Sequence, residues 1–413
     1  MTDASVRYAM PEPFTIDVPD RALDDLDERL RRWRPPMFVG DGGWDYGTDE
    51  QFLKKLVDHW RHGYDWQRCQ EKLNAFPNYL VDIDDQRLHF IREPGTRVAD
   101  GPPPLPLILT HGWPGSVVEF LDVIDRLAHP ERHGGDALDG FDVIVPSLPG
   151  YGWSGPPMRE GKPGPIGPRA IGRLWHRLMT EALGYQRPYV AQGGDWGAAV
   201  STWLAHDHPV VAKDRIETGC LALHLNTMVF RPAIDEATTL TSEEVAWLKV
   251  ARADRDTKTA YRRIQSTKPQ SLSAGLTDSP VGLAAWIVEK FHGWGDTKGD
   301  VTSRFPLDTL LDNIMVYWLN GNIASANWLY RGVSEENARL VVGEQVRTPT
   351  AFMAFPADLT PPPPEAWVAR AYNLRRYSRM PAGGHFAALE EPEAWIEDIR
   401  DFCRPFRFGA AND

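Results

Sequence analysis

Residues 189–199 read YVAQGGDWGAA: a short apolar run, two glycines, an aspartate, a tryptophan, then small residues. An apolar strand, a tight turn and a helix in that order make a nucleophile elbow, where the G-x-S-x-G pattern exposes a serine. Here the exposed position is Asp195. Aspartate ahead of a helix is ordinarily an N-cap. A cap does not require small residues at 193, 194, 197 and 198, whereas a tight elbow does, because larger groups block the turn and the helix–strand approach. A carboxylate is already ionised at neutral pH, so it can attack an sp³ carbon that bears a leaving group. The product would be an alkyl ester on Asp195, which needs water and a base for its removal.

Two further stretches supply those parts. His385 stands in MPAGGHFAALEEP after the last apolar strand, and Asp358 stands in AFMAFPADLTPPPP after the strand before it. The order Asp195, Asp358, His385 is the order of nucleophile, acid and histidine in the α/β-hydrolase fold. Glu365 is the nearest rival acid. A histidine so placed activates water, while the acid orients its ring and stabilises the imidazolium. HGWPGS, residues 111–116, follows another apolar strand and matches the loop that supplies half of an oxyanion hole. The expected donors are the backbone N–H groups of Trp113 and Trp196; His111 reads as structural. The pairs His129/His133 and His206/His208 lack a third ligand at zinc spacing, so no metal and no organic cofactor is expected.

The leaving group separates two chemistries. A halide leaves as an anion and is met by N–H donors such as indoles. An epoxide leaves as an alkoxide and needs a proton, for which a phenol is a suitable acid. From the residues alone both remain open.

These groups must be held by elements that the patterning lays out. From about residue 80 the period is two: YLVDIDDQRLHFIRE alternates around Asp84–Asp85 as a hairpin. PLILT, FDVIVPS and YVAQ are continuous apolar runs ending in glycine-rich turns, as buried parallel strands do. In open α/β sheets the turns at those carboxyl ends bind ligands. Before residue 80 the chain is helical. Leu23, Leu26, Leu30 and Trp33 share a face, and Thr48 with Gln51 reads as a capping box ahead of Phe52, Leu53, Leu56, Val57 and Trp60. A packing role is expected for this segment. Residues 221–342 break the alternation, with a capping box at Thr241/Glu244, a cap at Ser279-Pro280 and a helix-like stretch from Leu307 to Tyr330. The strand pattern then returns, and EPEAWIEDIRDFC closes the chain as a helix.

The bulk numbers agree with this plan and exclude others. At 413 residues, 42% hydrophobic and 25% charged, the chain can bury a large core. A net charge of −12 argues against a nucleic-acid surface. Cys69, Cys220 and Cys403 are widely spaced, which fits a reducing compartment rather than a disulfide framework. MTDASVRYAMPEPF has neither a basic nor an apolar leader region, and no run approaches a bilayer span. A soluble, cytoplasmic protein is expected.

HGWPGS, PSLPGYGWSG, GGDWG, IQSTKPQSL…DSPVGLAAWIVEKF and GGHFAALEEPE together resemble the microsomal-type epoxide hydrolases, among them the juvenile-hormone epoxide hydrolases. FTIDVPDRALDDLDERL and the WDYGTD region resemble that family's N-terminal domain, so the likeness spans about residues 12–405. It implies an α/β-hydrolase fold: a mostly parallel sheet flanked by helices, with a helical lid insertion and a helical N-terminal extension. The implied division is 1–80 N-terminal helical domain, 81–220 first part of the core, 221–342 lid and 343–413 second part of the core.

It also implies Asp195 as nucleophile, His385 as base and Asp358 as charge-relay acid, where many members have glutamate. Two lid tyrosines that protonate the epoxide oxygen map to Tyr261, in TAYRRIQSTKP, and Tyr330, in SANWLYRG; Tyr317 reads as a buried lid aromatic. The implied partners are a small apolar epoxide and water, with no nucleic acid. Membrane-bound relatives carry an apolar N-terminal anchor; no such run is read in this sequence, and a soluble enzyme is expected. Ala260 stands where glycine is common, and Arg262–Arg263 follow Tyr261, a departure that leaves substrate preference open. A haloalkane dehalogenase and a non-catalytic ligand-binding relative are the alternatives. A homodimer fits either, and catabolic, detoxifying and biosynthetic roles stay equally open.

Overall fold

The computed structural model describes residues 9–36, 42–210 and 218–407; the first eight residues of the N-terminal stretch read above lie outside them. Nine strands form one sheet: β1 (Glu12–Phe14), β2 (Asn78–Ile83), β3 (Gln86–Glu93), β4 (Leu105–Thr110), β5 (Phe141–Pro146), then, after a two-residue ribbon of β6 (Met158–Arg159) and β7 (Lys162–Pro163), β8 (Tyr189–Gly193), β9 (Cys220–Leu225), β10 (Val346–Ala354) and β11 (Tyr372–Arg379). The spatial order is β1-β2-β3-β5-β4-β8-β9-β10-β11. Contacts from β5 to β11 are parallel, and β1, β2 and β3 add an antiparallel margin. β5 and β8 are buried along their whole length, which is why their sequences run apolar without alternating. The hairpin turns at Asp84–Asp85 as read, Asp84 taking a positive φ of 50°.

Three helices precede the sheet's main body: α1 (Asp20–Arg31), α2 (Glu50–His62) and α3 (Trp66–Asn74). The Thr48 capping box is not formed. Asp49 caps α2, its Oδ1 accepting from the Phe52 N–H at 2.7 Å, because the Thr48 hydroxyl is spent on the Ala285 carbonyl at 2.6 Å. Within the core, α4 (Leu121–Ala128), α5 (Pro168–Arg177) and α6 (Asp195–Asp207) follow β4, β5 and β8. The insertion between β9 and β10 holds α7 (Ser242–Lys258), α8 (Ala260–Thr267), α9 (Pro269–Asp278), α10 (Pro280–Trp294), α11 (Leu307–Asn320) and α12 (Ile323–Glu336). After β10 come α13 (Glu365–Ala371), and after β11 the short α14 (Ala387–Glu390) and α15 (Pro392–Cys403).

The capping box Thr241/Glu244 closes in both directions, at 2.7 and 3.2 Å, and Ser279 caps α10. Two expectations shift. β9 lies almost wholly inside the segment assigned to the lid, paired to β8 and β10. The stretch from Leu307 to Tyr330 is two helices, not one, because Gly321 takes a left-handed φ of 59° and ends α11.

The N-terminal helices grip the lid. His59 Nε2 meets Asp308 Oδ1 at 2.6 Å, the Tyr64 hydroxyl donates to Asp312 at 2.8 Å, and Trp44 stacks on His292 with centroids 4.0 Å apart. Arg29 bonds the Asp278 carbonyl at 2.8 Å, and α1 and α2 pack on α10.

Candidate active site

β8 delivers Asp195 at the first position of α6 with φ +45°, a left-handed conformation that costs a non-glycine residue about 1–3 kcal/mol and marks a built turn. Its side chain does not cap the helix; Gly194 is the cap residue. The elbow closes only because Gly197 has no side chain: a Cβ there would lie 1.8 Å from the Thr110 carbonyl oxygen of β4. The small residues read from the sequence are therefore there for close packing.

The Asp195 carboxylate accepts the Trp113 backbone N–H at 2.8 Å and lies 3.5 Å from His385 Nε2. On the far side of the ring, His385 Nδ1–H donates to Asp358 Oδ1 at 2.6 Å, and that oxygen also accepts the Leu359 N–H at 2.6 Å. Glu365, the rival acid, is exposed at the start of α13. Burial works to lower the pKa of His385, but the charge and hydrogen bonds of Asp358 and Asp195 outweigh it and hold the ring well above the usual imidazole range. Trp196 is the second residue of α6, where backbone N–H groups have no intrahelical acceptor. His111 is occupied structurally: Nδ1–H faces the Gly112 carbonyl at 3.0 Å, Nε2 accepts the Leu148 N–H at 3.2 Å, and burial pushes its pKa down to about 4.

The lid brings both named tyrosines to this point. Tyr261, near the start of α8, stacks on Trp113 with centroids 5.2 Å apart; Tyr330, on α12, meets Trp113 edge-on at 5.7 Å and Trp196 at 4.9 Å. Packing of α8 against α12 is what unites them. Both phenols are pushed above their ordinary pKa, first by burial and then by neighbouring acidic groups, the Asp195 carboxylate among them, so both remain protonated donors. The buried Tyr330 hydroxyl and the Trp113 and Trp196 indole N–H groups have no well-formed hydrogen bond among the described residues. Tyr317 instead donates to the Gly115 carbonyl at 2.7 Å and fastens the lid to the HGWPGS loop.

A cavity of about 360 Å³ opens onto Asp195, Tyr261 and His385 between the lid and the 227–231 and 358–360 loops. Behind the carboxylate is a second space of about 20 Å³, enough for one water, bordered by Asp195, His385, Gln192 and Glu119. Glu119 was not read as a site residue. Its carboxyl lies against Gly115, where any side chain would displace it, since a Cβ at 115 would stand 1.3 Å from Oε1. Burial raises its pKa to about 8, the Asp195 charge adding to the effect and His385 opposing it. Among the described residues no cluster of three or more His, Cys, Asp or Glu side chains could hold a metal ion.

Fold and site define an α/β hydrolase with a carboxylate at its elbow. Comparison with known proteins narrows the class. Residues 11–120 match the family "Epoxide hydrolase N terminus" and residues 106–392 the family "alpha/beta hydrolase fold". Epoxide hydrolase 1 of Oryctolagus cuniculus is 35% identical over 431 residues, covering 97% of this chain and 89% of its own. The crystal structure of juvenile hormone epoxide hydrolase from Bombyx mori superposes with a TM-score of 0.83 at 28% identity, covering 99% of this chain and 97% of its own. The Aspergillus niger epoxide hydrolase gives 0.79 at 30% identity, covering 95% and 96%. The chain belongs to the epoxide hydrolase family. No helix among the described residues is long and apolar enough to cross a membrane.

Proposed function

We propose that the protein adds water to an oxirane to give a vicinal diol, through an ester on Asp195. The observation that carries this reading is the meeting of two protonated phenols with the elbow carboxylate around Trp113. Asp195 attacks a ring carbon, the C–O bond breaks, and the oxygen takes a proton from Tyr261 or Tyr330. Alkylation removes the Asp195 charge, one of the causes that keep His385 protonated. The ring pKa then falls just when a base is needed, and the proton released can restore the phenol. Neutral His385 draws a proton from water as it attacks the ester carbonyl, with Asp358 stabilising the imidazolium. The Trp113 and Trp196 N–H groups meet the oxyanion; one such donor is typically worth ~10²–10³ in rate. The returning proton releases the diol and regenerates Asp195.

The Trp113 and Trp196 indole N–H groups, which have no well-formed hydrogen bond among the described residues, favour a second reading, in which they clamp a departing halide. One experiment separates the two. A His385→Gln variant is mixed with styrene oxide, and separately with a bromoalkane, and the intact protein is weighed. A gain equal to the whole epoxide, absent in Asp195→Asn, is the expected result. A gain equal to the bromoalkane less bromine, with none from the epoxide, would replace this reading with the dehalogenase.

A further inference from the structure

The 360 Å³ cavity carries more positive charge than the chemistry above uses. Its charged walls are the carboxylates Asp195 and Asp358, the His385 ring, and three arginines, Arg231, Arg262 and Arg263. Both carboxylates are committed: Asp358 to His385 and the Leu359 N–H, Asp195 to the Trp113 N–H and His385. Arg231 has a partner of its own.

Arg262 is different. It is half-buried, it follows Tyr261 on α8, and its guanidinium carbon stands 5.5 Å from the centre of the Trp196 ring. It forms no ion pair with a carboxylate among the described residues. Stacking on an indole face holds a cation in place without using its N–H donors. Those donors form a planar fork that matches an oxyanion in two parallel bonds. Arg263, one position further and exposed, adds a second positive charge at the mouth.

The position fixes what the fork would hold. Trp196 follows the attacking carboxylate and Tyr261 carries a proton for the ring oxygen, so Arg262 borders the place where the oxirane must lie. An anion brought there would be repelled by Asp195 and by the chain's overall charge of −12 unless a local cation offset the repulsion. We infer that Arg262 forms a carboxylate subsite and that the substrate class is the small epoxy acid, with its carboxylate on or next to the oxirane. This rests on the ring-opening reading given above.

The test compares sodium 3-phenylglycidate, its methyl ester and styrene oxide, with the wild type, Arg262→Gln and Arg262→Lys. Wild-type kcat/KM should favour the acid over the ester by about tenfold or more, the scale of one good charge-assisted contact. Arg262→Gln should raise KM for the acid and bring the ratio close to one, and Arg262→Lys should recover part of it. An ester used as well as the acid by the wild type, with styrene oxide opened, overturns the subsite and leaves the hydrolase reading standing. So does an Arg262→Gln that weakens acid and ester alike, because the arginine would then act on the lid or on Asp195. Failure to open any of the three compounds overturns the hydrolase reading, and the subsite with it.

Discussion

Tyr330 meets Tyr261 edge-on, the two rings 5.8 Å apart at 80°, and both lean on Trp113, whose backbone N–H holds Asp195. The two phenols and the elbow carboxylate thus share one tryptophan. Tyr261→Phe and Tyr330→Phe keep the ring packing and remove one O–H each. Each should slow ring opening in a single turnover by about 10²-fold, the usual scale of general acid catalysis, and leave attack on a bromoalkane untouched. Because burial and nearby acidic groups, Asp195 among them, raise both pKa values, the phenols stay protonated as pH rises. The ring-opening rate should therefore show no phenol ionisation up to and beyond the ordinary tyrosine value of about 10.

On the proposed mechanism, Glu119 is placed to act in the other half-reaction. Its space borders Asp195 and His385 and admits one water. With its pKa raised to about 8 by burial, the carboxyl is protonated at neutral pH and can both donate to and accept from a water in that space. Glu119→Gln should slow ester hydrolysis by roughly 10–10²-fold while ring opening changes little, in keeping with a group that orients water. Stopped-flow traces should then show a burst of ester followed by slow turnover. Equal slowing of both steps would remove Glu119 from the hydrolytic step.

A buried cluster beneath the sheet sets an acid limit on stability. Asp398, on α15, accepts from His224 of β9 at 3.0 Å, and from Arg376 at 2.7 Å and Ser378 at 2.6 Å, both of β11. Burial alone would raise its pKa; the His224, Ser378 and Arg376 bonds prevail and hold it at about 2. A depressed pKa means that the stabilisation is complete above the unfolded value near 4 and disappears as pH falls toward 2. Asp398→Ala should cost about 3–5 kcal/mol in urea unfolding at pH 7, because two basic partners lose their anion. Between pH 4 and 2 the variant should lose stability less steeply than the wild type.

Asp195, Asp358 and His385 were legible because each sits beside turn chemistry that few other structures need: GGD at the elbow, PAD after β10, GGH after β11. Its place on the loop directly after the strand, in FPADL, chose Asp358 over Glu365. Glu119 was not legible, since a glutamate ahead of a helix reads as solvent-facing and only the bare backbone of Gly115 lets it turn inward. β9 was hidden because CLALHL is short and ends in no glycine turn. The division of α11 from α12 was written in LNGN and passed over, the aromatic run on either side suggesting one helix. Arg262 appeared as a departure from the family; its place over Trp196 depends on how the lid docks, which no local pattern encodes.

The grip of the N-terminal helices on α10 and α11 has a consequence for traffic. His59, Tyr64, Trp44 and Thr48 tie the lid from outside along α10 and α11. The cavity wall formed by Met228–Arg231 and Leu359–Thr360 lies apart from those ties, and it is the expected path for reactant and product. The fastening falls on α10 and α11, whereas Tyr261 and Tyr330 are carried on α8 and α12, and the doorway is expected in the wall.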